Sequence, residues 1–238
     1  MIFIYLILFP CIVRCEHIAT HAVKEKPNLK NETAGPDVVD VKYFYETFCP
    51  KCIKFERQFE NAINLLSTRL FIQTYPYGKS KITLKNGKVF IKCQHGRKEC
   101  YGNKLHACVL KYFSNHTEAV LFNICMMHIN GSNDATAKKC SQKFNVNVNP
   151  ILKCAKGIEG VHLLKYYGEE SRKANFERIP FVLVNGAHVR WNGSDFSRVL
   201  CGEFKQPPPN CSKISLRGID NHNGTLGNGT KLMHYKNV

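Results

Sequence analysis

The chain of 238 residues carries 34 lysines and arginines against 18 aspartates and glutamates, a formal net charge of +16. This length suffices for one domain with a full hydrophobic core. The basic residues are scattered along the chain and form no single stripe, which argues against nucleic-acid binding and favours a solvated basic surface.

The first 15 residues are predicted to be a cleaved signal peptide. Their apolar run, residues 2–13, is too short to span a bilayer and is followed by polar sequence. It has no lysine or arginine before it, so an uncleaved anchor is the alternative. No later apolar run is long enough to cross a membrane, and we expect no membrane span in the mature protein. Residues 16–36 are polar and predict a flexible arm or propeptide.

A strand followed directly by a helix is predicted next. Residues 38–45, VVDVKYFY, are rich in β-branched and aromatic side chains, as in a buried strand. A helix is expected to begin near Pro50, because proline is favoured in the first helical turn. Its apolar residues then recur at helical spacing, at Cys52, Phe55, Phe59, Ala62, Ile63 and Leu66. A second strand, RLFIQTYPYG, ends at Pro76 and Gly78.

An insertion is predicted over about residues 79–172. It begins with a cysteine-dense loop and continues with helical patterns, including a buried helix over AVLFNICMMHI. The clearest pattern, PILKCAKGIEGVHLLKYY, has apolar residues at positions 151, 154, 155, 158, 161 and 164.

Strand character returns at IPFVLVNGAHVRW, where Asn185-Gly186 between two alternating runs predicts a hairpin. A short helix over residues 195–201 follows, with Asp195 near its start. Residues 37–211 are therefore predicted as one domain. The Gly/Asn-rich residues 212–238 are expected to form a flexible, glycosylated tail.

Cys49 and Cys52 form a C-x-x-C pair at the predicted helix start. A structural disulfide, half of a metal site and a redox centre are the three possibilities. We favour the redox centre and name no metal ligand, because metal sites compete poorly in a compartment that oxidises thiols.

The chemistry of such a pair follows from its position. Backbone N–H groups at a helix start lower a thiol pKa from about 8.5 to between roughly 3.5 and 7.5. Lys51 and Lys54 add positive charge in the same direction. Cys49 is then the nucleophile that forms a mixed disulfide with a substrate, and Cys52 is the thiol that resolves it.

Ile179-Pro180 opens the later strand. Thioredoxin-like folds place a cis proline at the start of such a strand, beside the redox pair and shaping the substrate groove. The order of strand, C-x-x-C helix, strand, insertion, Pro-strand, hairpin and last helix resembles an α/β, thioredoxin-like fold interrupted by a cysteine-rich, helical insertion.

Residues 93–108 carry a dense polar and cysteine pattern of the form C-Q-H-G-x-x-E-C-x-x-N-x-x-x-x-C. Its fixed positions are Cys93, Gln94, His95, Gly96, Glu99, Cys100, Asn103 and Cys108. This signature loop matches the gamma-interferon-inducible lysosomal thiol reductase family, and the resemblance covers roughly residues 37–211.

The resemblance implies a soluble, glycosylated thiol reductase that reduces disulfides of protein substrates, commonly in acidic lysosomal or endosomal compartments. It implies catalysis by Cys49 and Cys52, with no bound cofactor and small thiols as the reductant. The polar signature residues could orient the loop against the active site, and His95 could assist proton transfer. Pro50-Lys51 differs from the glycine-rich pair of the vertebrate enzyme and is expected to set the redox potential.

Oxidising conditions are indicated by the cysteines and the sequons. Ten cysteines follow the predicted leader, and eight lie outside the active pair. These eight are Cys93, Cys100, Cys108, Cys125, Cys140, Cys154, Cys201 and Cys211. The sequence does not determine their pairing, although Cys201 with Cys211 is the favoured local pair. Seven N-glycosylation sequons point to the secretory pathway, and the protein is expected in lysosomes or endosomes or outside the cell: Asn31, Asn115, Asn130, Asn192, Asn210, Asn223 and Asn228.

Two other functions remain open at this point. One is a redox-silent secreted glycoprotein that uses the same scaffold to bind a partner. The other is a disulfide isomerase or oxidase, which the redox potential of the Cys49/Cys52 pair distinguishes from a reductase.

Overall fold

The computed structural model describes residues 37–193 and 195–216. The predicted signal peptide (1–15), the arm (16–36) and most of the tail (217–238) lie outside these residues. Three of the sequons, Asn31, Asn223 and Asn228, lie outside them as well.

The described residues form six strands, eight α-helices and one short 3-10 helix, Ser67–Arg69. The strands are β1 Val39–Tyr45, β2 Leu70–Pro76, β3 Lys81–Lys85, β4 Lys88–Lys92, β5 Phe181–Val184 and β6 Ala187–His188. The helices are α1 Pro50–Leu66, α2 Arg97–Tyr112, α3 His116–Asn130, α4 Asp134–Phe144, α5 Asn149–Lys156, α6 Ile158–Lys173, α7 Phe196–Cys201 and α8 Pro209–Leu216.

The central sheet has the strand order β2-β1-β5-β6. β1 pairs parallel to β2 and antiparallel to β5, and the β5–β6 hairpin turns at Asn185-Gly186, as predicted. Because β1 and β5 are antiparallel, the end of β1 meets the start of β5. The turn into α1 and the residues preceding Phe181 therefore lie at the same edge of the sheet.

Helix α1 follows the predicted pattern closely. Its buried residues include all six predicted from helical spacing, and Pro50 is its first residue. Phe55 and Phe59 pack against Tyr43 of β1 and Phe196 of α7. This aromatic layer fixes the helix that carries the cysteine pair against the sheet.

The insertion between β2 and β5 differs from the sequence prediction in two places. It begins with a β3–β4 hairpin, whose turn residues Asn86 and Gly87 both have positive φ. The signature segment predicted as a loop is mostly helix, since α2 begins at Arg97 and runs past Cys108. The three cysteines suggested a loop, but Cys100 and Cys108 lie on this helix and pair with Cys93 and Cys154.

The remaining helices of the insertion follow the sequence with one exception. α3 buries most of AVLFNICMMHI, as predicted. The long apolar pattern after Pro150 is divided at Gly157 into α5 and α6. Ile158, predicted on the buried face, is 68% exposed and is the first residue of α6 after this break.

Four disulfides pair the eight cysteines that the described residues contain besides the active pair. They are Cys93–Cys100, Cys108–Cys154, Cys125–Cys140 and Cys201–Cys211. The last is the local pair favoured from the sequence. It joins α7 to α8, and α8 extends to Leu216 with Ile214 buried. Residues 212–216 are therefore part of the packed domain, contrary to the predicted tail, because this disulfide holds α8 against α7.

Among the described residues, no helix combines the length and apolar character needed to cross a lipid bilayer.

Candidate active site

Cys49 caps the N-terminus of α1. It has extended backbone geometry, and its Sγ accepts a hydrogen bond from the Cys52 amide at 3.4 Å. Cys49 is 7% exposed and Cys52 is fully buried, and both are free thiols. The first sulfur thus faces the unpaired amides of the helix start, while the second lies beneath it.

The two thiols have opposite acidities. Hydrogen bonding from the Cys52 side chain and from the amides of Cys52 and Lys51 lowers the pKa of Cys49 to about 6, against the effect of burial. Burial raises the pKa of Cys52 well above its ordinary value, and its hydrogen bond to Cys49 acts in the same direction. Near neutral pH, Cys49 is therefore a thiolate while Cys52 keeps its proton.

His95 supplies positive charge beside Cys49, from 46 positions along the chain. Its Nδ1 contacts Glu99 Oε2 and lies 3.4 Å from Glu46 Oε1. The hydrogen bond to Glu99 and the charges of Glu99 and Glu46 raise the pKa of His95, so the imidazolium is favoured at acidic pH. The sequence pointed to Lys51 and Lys54 for this charge and to His95 only for proton transfer.

Glu46 is a buried carboxyl group at the end of β1. Burial raises its pKa to about 7, although the Lys79 amide donates to Oε2 at 2.9 Å. Gly78, with φ +56°, lies so close that a Cβ there would collide with the Glu46 carboxylate. The PYG sequence after β2 therefore shapes the pocket that holds Glu46.

Helix α2 docks the signature residues against the segment that leads to Cys49. Asn103 Oδ1 accepts the Thr47 amide at 3.0 Å, and a Cβ at Gly102 would meet Thr47 Oγ1. Buried Glu99 accepts the Gln94 amide at 2.9 Å. Residues of α2, far away in the sequence, thus hold the segment that precedes Cys49 in place.

His106 anchors the same helix from beneath. It is fully buried between Tyr45 Oη at 2.8 Å and Ser132 Oγ at 2.7 Å. Burial lowers its pKa to about 3, so it is neutral and serves as a hydrogen-bonding spacer. No pattern in the sequence predicted this role for His106.

The structure brings only part of the signature to the active cysteines. His95 and Glu99 reach the Cys49 side, and the Cys93–Cys100 disulfide closes the turn that presents them. Gly96 precedes α2 with φ +82°. Cys108 instead pairs with Cys154 in the helical insertion.

The Ile179–Pro180 peptide bond is cis. Phe181 pairs with Phe44 of β1, so Pro180 lies at the sheet edge from which the chain leads to Cys49.

Glu46, His95 and Glu99 form a grouping that the sequence did not suggest as a metal site. Among the described residues, their potential ligand atoms lie within 4.8 Å of one another. Each carboxylate already accepts one backbone amide and faces His95 with its other oxygen. These contacts account for the grouping as a hydrogen-bonded cluster.

Comparison with protein families gives a match over the segment that contains the cysteine pair and the signature. A family model described as gamma interferon inducible lysosomal thiol reductase (GILT) matches residues 40–144. A GILT-like protein of Anopheles gambiae is 27% identical over 203 residues, which cover 77% of this chain and 84% of that protein. The gamma-interferon-inducible lysosomal thiol reductase of Mus musculus is 28% identical, with 74% and 73% covered.

Solved structures share the fold at low sequence identity. Reduced DsbA from Mycobacterium tuberculosis has a TM-score of 0.54 at 16% identity, covering 75% of this chain and 88% of that chain. Reduced DsbG from the same organism gives the same TM-score and identity, covering 74% and 83%. With the sheet order and the helix capped by Cys49, they establish a thioredoxin-like fold. The chain is similar to the gamma-interferon-inducible lysosomal thiol reductase family, whose model matches residues 40–144, and it is a thiol oxidoreductase.

Proposed function

We propose that the protein reduces disulfide bonds of protein substrates at acidic pH, through a mixed disulfide on Cys49 that Cys52 resolves. The observation that carries this proposal is the opposite acidity of the two thiols. With a pKa of about 6, Cys49 keeps roughly a tenth of its sulfur as thiolate at pH 5. An ordinary thiol with a pKa of about 8.5 keeps roughly 1 part in 3,000.

The reaction proceeds in two exchanges. Cys49 thiolate attacks one sulfur of the substrate disulfide, and the other substrate sulfur leaves with the electron pair. Cys52, after losing its proton, attacks Cys49 Sγ and releases the second substrate sulfur. The enzyme disulfide is then reduced by small thiols, with no bound cofactor.

An acidic compartment suits the thermodynamics of the pair. Above pH 6 the Cys49 thiolate stabilises the reduced enzyme and makes it a weaker reductant. Below pH 6 this contribution disappears. Relative to an unionised reference thiol, the exchange constant favours substrate reduction about tenfold more at pH 5 than at pH 7.

The low pKa of Cys49 also supports the alternative function of an oxidase or isomerase. A stabilised thiolate favours the reduced enzyme and therefore the oxidation of substrates at neutral pH. Measuring the enzyme's equilibrium with a small thiol at pH 5 and pH 7 separates the functions. A reductase becomes more reducing at pH 5. An equilibrium that is as oxidising at pH 5 as at pH 7 favours the oxidase.

We propose the secretory pathway, with lysosomal or endosomal delivery or secretion, as the location. Four disulfides outside the active pair support an oxidising route of folding. Asn115, at the exposed start of α3, is an accessible sequon, whereas Asn210 is partly buried and donates to Leu65 O at 2.8 Å.

The test is reduction of a two-chain, disulfide-linked protein at pH 5 with cysteine as the reductant. We expect turnover by the wild type, none by Cys49→Ser, and one trapped mixed disulfide with Cys52→Ser, identified by mass spectrometry. Equal turnover by the wild type and Cys49→Ser would remove Cys49 as the nucleophile. A redox-silent binding protein would show no turnover with any variant.

A further inference from the structure

We propose that Glu56 is the proton carrier for Cys52, taking its proton during resolution and returning it when the enzyme disulfide is reduced. This inference rests on the proposed function and extends it to a residue that neither the C-x-x-C pair nor the signature contains. It assigns separate acid–base groups to the two cysteines.

The position of Glu56 follows from helical geometry. It lies four residues after Cys52 on α1, so the two side chains share one helix face with Cβ atoms about 6 Å apart. Glu56 is 1% exposed and Cys52 is 0% exposed. The carboxyl group therefore lies one turn beneath the resolving thiol, in the same water-poor region.

The carboxyl group of Glu56 has few partners to explain its burial. Tyr43 Oη donates to Oε1 at 3.5 Å, the outer limit for a hydrogen bond, and Oε2 has no partner among the described residues. A buried polar group left unpaired costs about 1–3 kcal/mol. A leucine at this position would avoid that cost. We therefore infer that the carboxyl group is present for its chemistry and not for stability.

Most of the groups around Glu56 disfavour a permanent carboxylate, although the hydrogen bond from Tyr43 lowers its pKa. Burial is the main cause that raises its pKa, and the charges of Cys49 and Glu60 on the same helix add to it. From β1 it faces the hydroxyl groups of Tyr43 and Tyr45. Glu60 is itself paired with His128 of α3 at 3.5 Å, and α7 contributes only the Phe196 ring to this layer. Glu56 can thus exchange a proton with a buried thiol at modest cost.

The other buried carboxyl groups near the pair already have partners. Glu99 accepts the Gln94 amide and contacts His95. The oxygens of Glu46, held in the same cluster, face the Lys79 amide at 2.9 Å and His95 at 3.4 Å. This cluster belongs to the Cys49 side of the site, whereas Glu56 lies beneath Cys52.

The proton balance closes in both directions. In resolution, the Glu56 carboxylate accepts the Cys52 proton, Cys52 thiolate bonds to Cys49 Sγ, and the bond from Cys49 to the substrate sulfur breaks with the electron pair on the substrate. In recharging, a small thiolate attacks Cys49 Sγ, the Cys49–Cys52 bond breaks, and protonated Glu56 neutralises the buried Cys52 thiolate. Because its pKa is raised, the carboxyl group is mostly protonated at acidic pH, which favours this second role; resolution there proceeds through the ionised fraction of Glu56.

The experiment follows formation and decay of the mixed disulfide by rapid acid quench and mass spectrometry. The probe is the oxidised dimer of a peptide with one cysteine, mixed with reduced protein. Glu56→Gln removes the proton acceptor and keeps the shape. Glu60→Gln, one turn further along α1, is the matched control, and Glu56→Asp is the conservative variant.

We expect all variants to form the mixed disulfide within about threefold of the wild-type rate. Its decay should slow about 100-fold in Glu56→Gln, the lower range for general acid–base catalysis, and recover partly in Glu56→Asp. Decay in Glu60→Gln should match the wild type. The wild-type decay should rise with pH as Glu56 ionises, and Glu56→Gln should lose this limb of the pH profile. The two should converge once the pH ionises Cys52 directly.

Equal decay in Glu56→Gln and the wild type at every pH overturns the inference. If Glu56→Gln does not fold, Tyr43→Phe, which removes only the hydroxyl group that holds the carboxyl, replaces it. We then expect a severalfold slower decay, and an unchanged decay overturns the inference. If the wild type forms no mixed disulfide, the proposed reductase function is wrong. This result is distinct from equal decay in Glu56→Gln and the wild type, which overturns only the role of Glu56.

Discussion

The two sides of the cysteine pair lie three residues apart and differ in almost every physical respect. The thiolate side consists of Cys49 with His95, Glu46 and Glu99, and it reaches solvent at His95. The buried side consists of Cys52 with Glu56 and Tyr43, and it lies within the aromatic layer under α1. One sulfur is stabilised as an anion, while the other is kept protonated by burial.

This difference shows how one motif can serve two steps. A nucleophile needs a thiolate at rest, whereas a resolving thiol must not react before the substrate is bound. The helix start gives the first sulfur amide donors, and the helix interior places the second among apolar rings. The different reactivities of Cys49 and Cys52 thus arise from positions less than one helical turn apart. Substitutions on the thiolate side and on the buried side test this difference separately.

The largest expected effect is in the reactivity of the two thiols. In reduced Cys52→Ser, which keeps a hydroxyl donor toward Cys49, iodoacetamide should alkylate Cys49 at pH 7. In reduced Cys49→Ser, the remaining Cys52 should react about 100-fold more slowly or less, because its pKa is raised and its sulfur is buried. Mass spectrometry measures both rates. Similar rates in the two variants would contradict the assignment of nucleophile and resolving thiol.

The second effect is on the pH dependence of folding stability. The pKa of Glu46 is raised from 4.5 to about 7 in the folded protein, so folding is favoured below pH 4.5 and loses stability as pH rises to 7. Glu46→Gln removes this titration and keeps an acceptor for the Lys79 amide. We expect the variant to lose about 2 kcal/mol less than the wild type between pH 5 and pH 8 in urea unfolding.

The exposed Glu177 provides the control for that measurement. Glu177→Gln should retain the wild-type change in unfolding free energy between pH 5 and pH 8. If Glu46→Gln and Glu177→Gln give the same pH dependence, the Glu46 carboxyl group does not titrate as proposed.

The smallest effect isolates the charge on the thiolate side. His95→Gln should slow alkylation of Cys49 about fivefold at pH 5, since a partly exposed charge contributes about 1 kcal/mol. The difference should fade above pH 8, where Cys49 is ionised in both proteins. Lys54→Gln, which removes a charge from the exposed face of α1, should change the rate less than twofold. Equal losses in both variants would assign the effect to net charge.

The elements around the site were largely predictable because their patterns are local. The β-branched and aromatic residues of 38–45 predicted β1, helical spacing from Cys52 to Leu66 predicted α1, and Asn185-Gly186 predicted the hairpin. The same Asn-Gly signal at residues 86–87 was overlooked, and the β3–β4 hairpin was missed. The cysteine-dense signature suggested a loop, although most of it forms helix α2, which is buried on all sides over residues 105–110.

By itself, the sequence determined strand β1, the start of α1 and the position of Cys49 and Cys52 at that start. Backbone propensity and the three-residue spacing of the cysteines act within one or two helical turns and are therefore visible in a local pattern. It also carried the family signature. Only the tertiary structure decided that His95 lies beside Cys49, that Glu56 is buried beneath Cys52, and which cysteines pair. Proximity and burial set pKa values, and both arise from packing between segments far apart in the chain, which no local pattern records.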